Sequence, residues 1–215
     1  MPDEELAYHL RDAADTEHLG EVLGDVLRGA SGGALLLLSG DLGAGKTTLV
    51  RGLAAGRGAD PAAVASPTFT IRMDHDGTRP LVHIDAWRIG PDDLGGIGFD
   101  DAIASGAVVA LEWPEKVASA IRHPAIMLLL EHAPPADDAG EPTRIARIDL
   151  SQAADRDRRR IVEAMELLMR APRLSGPRCP ACGAPPAGEC APFCSPRCRM
   201  ADLGDWLAMR HRIEG

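Results

Sequence analysis

The stretch "ALLLLSGDLGAGKTTLVRGLAAG", residues 34–56, decides the fold class of this chain. Its first half is a continuous apolar run that ends in glycine, which predicts a strand buried on both faces of a sheet. Its last part, "KTTLVRGLAAG", has the periodicity of a helix. Between them, "GDLGAGKTT" matches the pattern G-x-x-x-x-G-K-[ST] through Gly40, Gly45, Lys46 and Thr47. Strand, glycine-rich loop and helix therefore follow in the order that a phosphate-binding loop requires.

Each residue that this pattern specifies has a chemical role. Glycines let successive backbone N–H groups turn toward phosphate oxygens, Lys46 neutralises the terminal phosphates, and the Thr47 hydroxyl is a ligand for Mg²⁺. No N-K-x-D signature for guanine follows the later strands, so ATP is the expected nucleotide. The expected ATP contacts in this stretch are Gly40, Asp41, Leu42, Gly43, Ala44, Gly45, Lys46, Thr47 and Thr48.

The segments around the loop alternate between strand and helix patterns. We expect a strand in "ELAYHLRD" and then a helix in "DTEHLGEVLGDVLRG", with Asp15 or Thr16 as N-cap and Gly29 beyond its end. "PTFTIRM" and "PLVHIDAW" predict two strands joined by a turn at "DHDG", and three more strands are expected in "AVVALEW", "AIMLLLEH" and "TRIARIDL". This order predicts an α/β domain over residues 1–150, with a mixed sheet and flanking helices like those of P-loop NTPases.

The remaining third of the chain divides into a helix with a linker and a cysteine-rich tail. Residues 151–172 contain an amphipathic stripe at 155–169, which fits a helix that packs on the first domain or, as the alternative, binds a partner. Residues 173–215 hold all five cysteines. We expect this tail to form a small zinc-finger-like module.

Cysteine spacing indicates the metal. Two close pairs, C-x2-C and C-x3-C, can each occupy two corners of a tetrahedral Zn²⁺ site, which gives a closed, structural centre. The expected ligands are Cys179, Cys182, Cys194 and Cys198. A redox-active C-x-x-C is the alternative, although no thioredoxin-like pattern surrounds it. Cys190 is left over, as a free or an alternative thiol.

Composition and charge limit the classes of function. Residues 1–150 hold 12 Lys and Arg against 24 Asp and Glu, a net charge of −12, and the whole chain is at −9. Such an acidic domain is a poor non-specific binder of nucleic acid, so any role with RNA is expected to be indirect. The acidic N-terminus and the short apolar runs lack the features of a secretory signal or a membrane span, so we expect a cytoplasmic protein without membrane contact.

Five motifs together resemble a known family. "GDLGAGKTTLVRGLA", "SPTFTI", "HIDAWR", "GIGFDD" and "LEWPEK" occur in the order and approximate spacing of the TsaE (YjeE) family. That bacterial family is the ATPase component of the machinery that makes N6-threonylcarbamoyladenosine in tRNA, and it works with TsaB and TsaD. The resemblance covers about residues 5–150.

The resemblance implies roles for single residues. Lys46 would hold phosphate as a catalytic group, and Glu112 would join Thr47 at the Mg²⁺. Asp85 would orient or deprotonate the attacking water. The alternatives are a turn-forming role for Asp85 and an ordinary strand-end charge for Glu112. Both follow apolar strands, where carboxylates meet ligands in open α/β sheets.

Further positions concern the nucleotide and its surroundings. Thr68, in the nucleotide-responsive segment Ser66 to Thr68, would sense the γ-phosphate, unless that segment is a plain turn. Trp113 would pack beside the nucleotide or in the core, and His83 is expected to be a structural strand histidine. Trp87 stands where the family usually has tyrosine.

The tail resembles a second family. "CPAC", "PFCSPRC" and "DLGDWLAMRHRI" are similar to YacG, a small zinc protein described as an inhibitor of DNA gyrase. The loop between the cysteine pairs is shorter than is usual, which bears on gyrase contact more than on the zinc site. The sequence thus favours a Mg²⁺-dependent ATPase subunit of the tRNA-modifying machinery with a zinc-binding tail. The alternatives are a P-loop small-molecule kinase and a gyrase-binding zinc protein with an accessory ATPase domain.

Overall fold

The computed structural model describes residues 5–29, 32–133 and 143–170, with side chains up to Met165 in the last helix. Within these ranges the chain forms one seven-stranded sheet with helices. The strands are β1 (Glu5–Leu10), β2 (Ala34–Gly40), β3 (Arg72–His75), β4 (Leu81–Asp85), β5 (Val108–Glu112), β6 (Ile126–Ala133) and β7 (Thr143–Asp149). The α-helices are α1 (Ala13–Arg28), α2 (Lys46–Gly56), α3 (Phe99–Ala104) and α4 (Asp155–Arg170).

The sheet has the order β1-β7-β6-β2-β5-β4-β3. Its centre is parallel, because β2 pairs in parallel with β5 and β6, and β4 pairs in parallel with β5. The outer pairs are antiparallel: β3 with β4, β6 with β7, and β1 with β7. The predicted mixed α/β sheet is therefore confirmed.

The central strands are buried on both faces, as the apolar run at residues 34–38 predicts. Leu35 and Leu37 of β2 join a buried cluster that contains Ile84, Val109 and Phe99. Because side chains alternate along a strand, the neighbours of Leu35 and Leu37 point to the other face, where they are also buried. Burial on both faces fixes β2 in the centre of the sheet, and this fixes the position of the loop that follows it.

Helices α1 and α2 approach each other closely through glycines. A Cβ at Gly20 would lie 2.1 Å from Leu49 O, and one at Gly52 would lie 1.9 Å from Glu17 O. Gly24 and Gly56 repeat this relation one turn further along. Only a residue without a side chain fits at these positions, so this packing anchors α2, which begins at the phosphate loop.

Three local predictions were wrong. The N-cap of α1 is Asp12, not Asp15 or Thr16, because Asp12 Oδ1 accepts a 2.8 Å hydrogen bond from Asp15 N and the helix begins three residues earlier. The strand expected in "PTFTIRM" begins only at Arg72, since Ile71 N donates to Pro67 O and closes a turn before it. The hairpin turn lies after His75 rather than across "DHDG".

Helix α4 packs on this domain, with Ile161 and Met165 buried. The chain divides into two compact units, Met1–Leu167 and Leu168–Gly215. The cysteine-rich tail, with the predicted ligands Cys179, Cys182, Cys194 and Cys198, lies outside the described residues. In the described ranges no helix has both the length and the apolar character to cross a bilayer.

Candidate nucleotide-binding site

The candidate site lies where three parallel strands end. β2 runs into the loop Gly40 to Gly45, β4 ends at Asp85, and β5 ends at Glu112. Pairing in the sheet sets Glu112 directly beside both Leu38 and Asp85. Ligands of open α/β sheets bind at this edge. The two carboxylates predicted from sequence are therefore neighbours of the phosphate loop.

The loop itself requires glycine at its ends. Gly40 has a φ of 137°, and a Cβ there would lie 2.3 Å from Leu130 O. Gly45, with a φ of 105°, is the N-cap of α2 and has no side chain to cap the helix. The first N–H groups of α2 are consequently left for an external acceptor, and a helix N-terminus favours anions. Leu42, at the tip of the loop, is exposed.

Lys46, the first residue of α2, is folded back onto the loop. Its Nζ donates to Gly40 O at 2.6 Å and to Asp41 O at 2.9 Å. Burial lowers the pKa of Lys46, and the nearby carboxylates, Glu112 first among them, oppose this shift. A buried ammonium whose hydrogen-bond acceptors are two carbonyl oxygens is a suitable partner for phosphate.

Thr47 and Glu112 meet directly. Thr47 Oγ1 donates to Glu112 Oε1 at 2.9 Å, and His83 Nε2 lies 2.9 Å from the same oxygen. The His83 side chain is fully buried, and its Nδ1 has no hydrogen-bond partner. With Nε2 protonated, His83 donates to the carboxylate, which fixes the orientation of Glu112. His83 thus contacts the site, although the sequence indicated only a structural histidine.

Asp85 is held by two donors. Thr68 Oγ1 donates to Asp85 Oδ2 at 2.7 Å, and Trp87 N donates to Asp85 Oδ1 at 2.9 Å. The Ser66 hydroxyl is 2.8 Å from the Thr68 hydroxyl. The segment from Ser66 to Thr68 is therefore coupled to Asp85 by a chain of hydroxyl groups. Asp85 also caps the short turn after β4, so the turn-forming alternative describes part of its role.

Two tryptophans line the same edge. Lys46 Nζ lies 3.8 Å from the ring centroid of Trp113, and the ring centroid of Trp87 lies 4.5 Å from that of Trp113. Lys116 Nζ stands 4.6 Å from the Trp87 ring on the outside. The two indole rings are tilted by 55°, and together with the two cations they form a row that ends at the lysine of the phosphate loop.

Backbone strain flanks the site on both sides. Trp113 (φ 58°) and Ile71 (φ 66°) are the non-glycine residues with positive φ in the described ranges. Such a conformation costs about 1–3 kcal/mol for each residue and is typical of functional sites. Trp113 follows Glu112, and Ile71 ends the segment that carries Thr68. Both strained residues are adjacent in sequence to predicted site groups or segments.

The residues present fit a magnesium nucleotide. Among the described residues no group of three His, Cys, Asp or Glu side chains could hold a metal by itself. Mg²⁺ is commonly held by one or two protein groups together with substrate phosphates and water, which is the set that Thr47 and Glu112 would complete. The structure thus brings together Lys46, Thr47, Thr68, Asp85, Glu112 and Trp113.

Arg144 was not predicted from the sequence to be near the site. Its Nε would lie 3.5 Å from a Cβ placed on Gly45, so β7 brings a cation next to the phosphate loop. A periodicity analysis cannot reveal such a neighbour, because it depends on the order of strands in the sheet. His83 was easier to find, since it precedes Asp85 by two residues on the same face of β4.

Two families match separate parts of the chain. The family "Threonylcarbamoyl adenosine biosynthesis protein TsaE" matches residues 10–139. The family "DNA gyrase inhibitor YacG" matches residues 177–215. Both resemblances suggested by the motifs are thereby confirmed.

Curated relatives agree with the first match. The "tRNA threonylcarbamoyladenosine biosynthesis protein TsaE" of Streptomyces coelicolor is 41% identical over 121 residues, which cover 54% of this chain and 78% of the relative. The protein of that name from Bacillus subtilis is 36% identical over 115 residues, covering 53% and 70%. The crystal structure of Bacillus subtilis YdiB has a similar fold, with a TM-score of 0.58 at 23% identity, over 76% of this chain and 95% of YdiB.

Proposed function

The chain belongs to the TsaE family, and from this premise we propose that its first domain, residues 1–150, binds and hydrolyses ATP as a component of the machinery that forms N6-threonylcarbamoyladenosine in tRNA. The observation that carries the proposal is the convergence of the phosphate loop with Asp85 and Glu112 at one edge of the sheet. The family match supplies the pathway, and the geometry supports the reaction.

Binding of ATP would use groups that the fold already holds in place. Loop N–H groups and the N-terminus of α2 would receive the phosphates, and Lys46 would exchange its two carbonyl partners for phosphate oxygens. Thr47 and Glu112 would hold Mg²⁺, which supplies neutralisation of phosphate charge. The adjacent rings of Trp113 and Trp87 would border the bound nucleotide.

Hydrolysis would depend on Asp85. A carboxylate positions the attacking water and accepts its proton, and Asp85 lies in register with the proposed metal ligand Glu112. In the described conformation both Asp85 oxygens are engaged, one of them by Thr68. Turnover then requires Thr68 to leave Asp85, for example to contact the γ-phosphate. This arrangement supports low basal activity that partners increase.

The proposed partners are TsaB and TsaD. We expect no direct affinity for tRNA, because the first domain has a net charge of −12 and phosphate contacts require clustered cations. The geometry does not support the alternative of a small-molecule kinase, because no feature of the described residues identifies a molecule that would accept the phosphate. The cytoplasm is the compartment in which this role would be carried out.

ATP turnover with and without TsaB and TsaD tests the proposal. Basal phosphate release should be slow and should rise when both partners are added, and the gene should restore growth in a strain depleted of its own TsaE. Asp92→Asn serves as a control variant. It changes an exposed carboxylate outside the phosphate loop and should behave as wild type. Tight and salt-resistant binding of tRNA by the isolated protein would contradict the proposed indirect role.

For the tail we propose a structural Zn²⁺ site made of the four cysteines in two pairs. Its YacG match and its donor set of thiolates support zinc. Contact with DNA gyrase is the second proposed activity, and it rests on the family match alone. A pull-down of purified gyrase by the full-length protein, with and without chelator, tests this contact.

A further inference from the structure

Arg57 is a buried cation without a counterion. It follows α2, and its side chain has 0% exposure. Nη2 donates to Pro80 O at 3.3 Å, whereas Nε and Nη1 have no hydrogen-bond partner. Within the described part of the chain no carboxylate forms an ion pair with it. Such a buried, unpaired charge is strongly unfavourable unless something neutralises it.

The charges nearest to Arg57 have the same sign. Burial, and then the charges of Arg79 and Arg28, lower the pKa of Arg57 to about 10. The group therefore stays protonated at neutral pH. Arg79 Nη1 donates to Gly32 O at 3.2 Å, and Arg28 pairs with Asp25. Arg28 therefore has a carboxylate partner, whereas Arg57 and Arg79 donate to backbone carbonyl oxygens.

The turn after β3 covers Arg57. Thr78 N donates to Arg57 O at 3.1 Å, and a Cβ at Gly77 would lie 3.0 Å from the same carbonyl oxygen. Arg79 and Pro80 belong to this turn, so the surface cation and the acceptor of Arg57 Nη2 lie on one short segment. Access to the buried guanidinium would therefore pass through this turn.

We propose that Arg57, Arg79 and Arg28 form a binding site for a small tetrahedral oxyanion of the phosphate and sulfate class. An anion would supply acceptors for the unpaired N–H groups and neutralise part of the charge. A tetrahedral oxyanion carries several acceptor oxygens, so that one anion can accept hydrogen bonds from more than one guanidinium group. Polynucleotide phosphate is a poor candidate, because its chain cannot enter a fully buried position.

This site is separate from the phosphate loop. Arg57 lies beyond the C-terminus of α2, whereas the loop lies at its N-terminus, and 11 residues of helix span about 16 Å. The proposal does not depend on nucleotide binding. Its test is accordingly made in chains that carry Lys46→Ala, so that the phosphate loop lacks its main cation.

Thermal unfolding of the full chain tests the site. The Tm in inorganic phosphate or sulfate is compared with the Tm in chloride at the same ionic strength. At a concentration about 100-fold above Kd, we expect the anion to raise Tm by about 5–10 °C. Arg57→Met, which keeps the aliphatic volume, should abolish this rise, and Arg79→Met should reduce it. Arg122→Met, a change at an exposed arginine that donates only to Ile121 O, should leave the rise intact.

A spectroscopic measurement covers the case in which Arg57→Met fails to fold. In arginine labelled with ¹⁵N, the Nε–H signal of Arg57 should shift with phosphate and saturate at the same Kd. The proposal is overturned if Arg57→Met keeps the full rise in Tm, or if this signal does not move. It is also overturned if polyuridylate stabilises the chain and inorganic phosphate does not.

Discussion

Thr47 and Glu112 are joined by a hydrogen bond of 2.9 Å although 65 positions separate them in the chain. The contact arises because β2 and β5 are parallel neighbours, so the second residue of α2 meets the last residue of β5. His83, on the adjoining strand β4, contacts the same carboxylate oxygen. Three elements thus fix a hydroxyl and a carboxylate at the distance that a shared cation would require.

The first prediction concerns this pair. Glu112→Gln keeps the shape of the side chain but removes its charge, so the Mg²⁺ concentration that half-saturates ATP turnover should rise at least about tenfold. Titration of Mn²⁺ by electron paramagnetic resonance provides a measurement independent of turnover. Glu115→Gln is the matched control, since this nearby carboxylate is exposed and its loss changes the net charge equally. Equal Mg²⁺ requirements in the two variants would contradict the role of Glu112.

The second prediction separates binding from turnover. Lys46→Ala should lose nucleotide affinity, because the ammonium is the cation that faces the loop. Asp85→Asn should still bind ATP but lose turnover by about 10²–10⁴-fold, because an amide cannot accept a proton from water. Equilibrium titration with a fluorescent nucleotide and phosphate release measure the two effects. Normal turnover in Asp85→Asn would be incompatible with its assigned role.

Sequence alone could predict most of the groups at this edge, because strand ends and the loop pattern are local signals. The coupling of Thr68 to Asp85 and of His83 to Glu112 could not be derived, since it depends on which strands are neighbours. The positive φ of Ile71 was also beyond prediction. A β-branched residue disfavours that conformation, and the backbone hydrogen bonds of Ile71 to Pro67 O and from Asp85 N accompany it.

For the fold, periodicity was sufficient in the long elements and insufficient at their ends. The apolar run of β2 identified a central strand, whereas the start of α1 depended on one hydrogen bond that the Asp12 side chain accepts from Asp15 N. The glycines of α1 and α2 were present in the sequence, yet their spacing did not show that they face each other. Their role as contact points becomes visible only in the structure, where the two helices pack against each other.

The third prediction tests that helix contact. Gly52→Ala would gain helix propensity of about 1 kcal/mol, but its Cβ would meet Glu17 O at 1.9 Å. We expect a net loss of about 1–3 kcal/mol in the free energy of unfolding, because the backbones must separate. Denaturant unfolding measures it. Gly96→Ala serves as control, since nothing lies within 4 Å of a Cβ there. Unchanged stability in Gly52→Ala would show that the helices do not approach so closely.

The fourth prediction concerns His75 and pH. Burial, and then the neighbouring His83, lower the pKa of His75 below its usual value of about 6.5. The unfolded chain therefore binds more protons between pH 6.5 and the lowered value, so stability falls as pH decreases through this range. His75→Leu should flatten this part of the curve of unfolding free energy against pH. His9→Leu, at an exposed position of β1, should keep the wild-type slope. An unchanged slope in His75→Leu would exclude His75 as the cause.

The last prediction concerns the tail. If Cys179, Cys182, Cys194 and Cys198 form a structural site, the chain should carry one Zn²⁺, and serine at any of the four positions should release it. Cys190→Ser is the matched control and should keep the metal. Zinc content, measured by mass spectrometry on the purified variants, decides between these outcomes. Loss of zinc in Cys190→Ser would show that the ligand set is different.

Zinc removal should leave ATP turnover unchanged. About 40 residues cannot bury enough apolar surface to fold alone, so the energy of metal binding would stabilise the tail. The unit Met1–Leu167 has its own core, which includes Phe99 and the strands of the sheet, and does not require that energy. A zinc chelator in excess Mg²⁺ should therefore unfold the tail while phosphate release continues, and a chain cut near Ser175 should fold. If chelation stops turnover, or if the shortened chain cannot fold, the two modules are not separable.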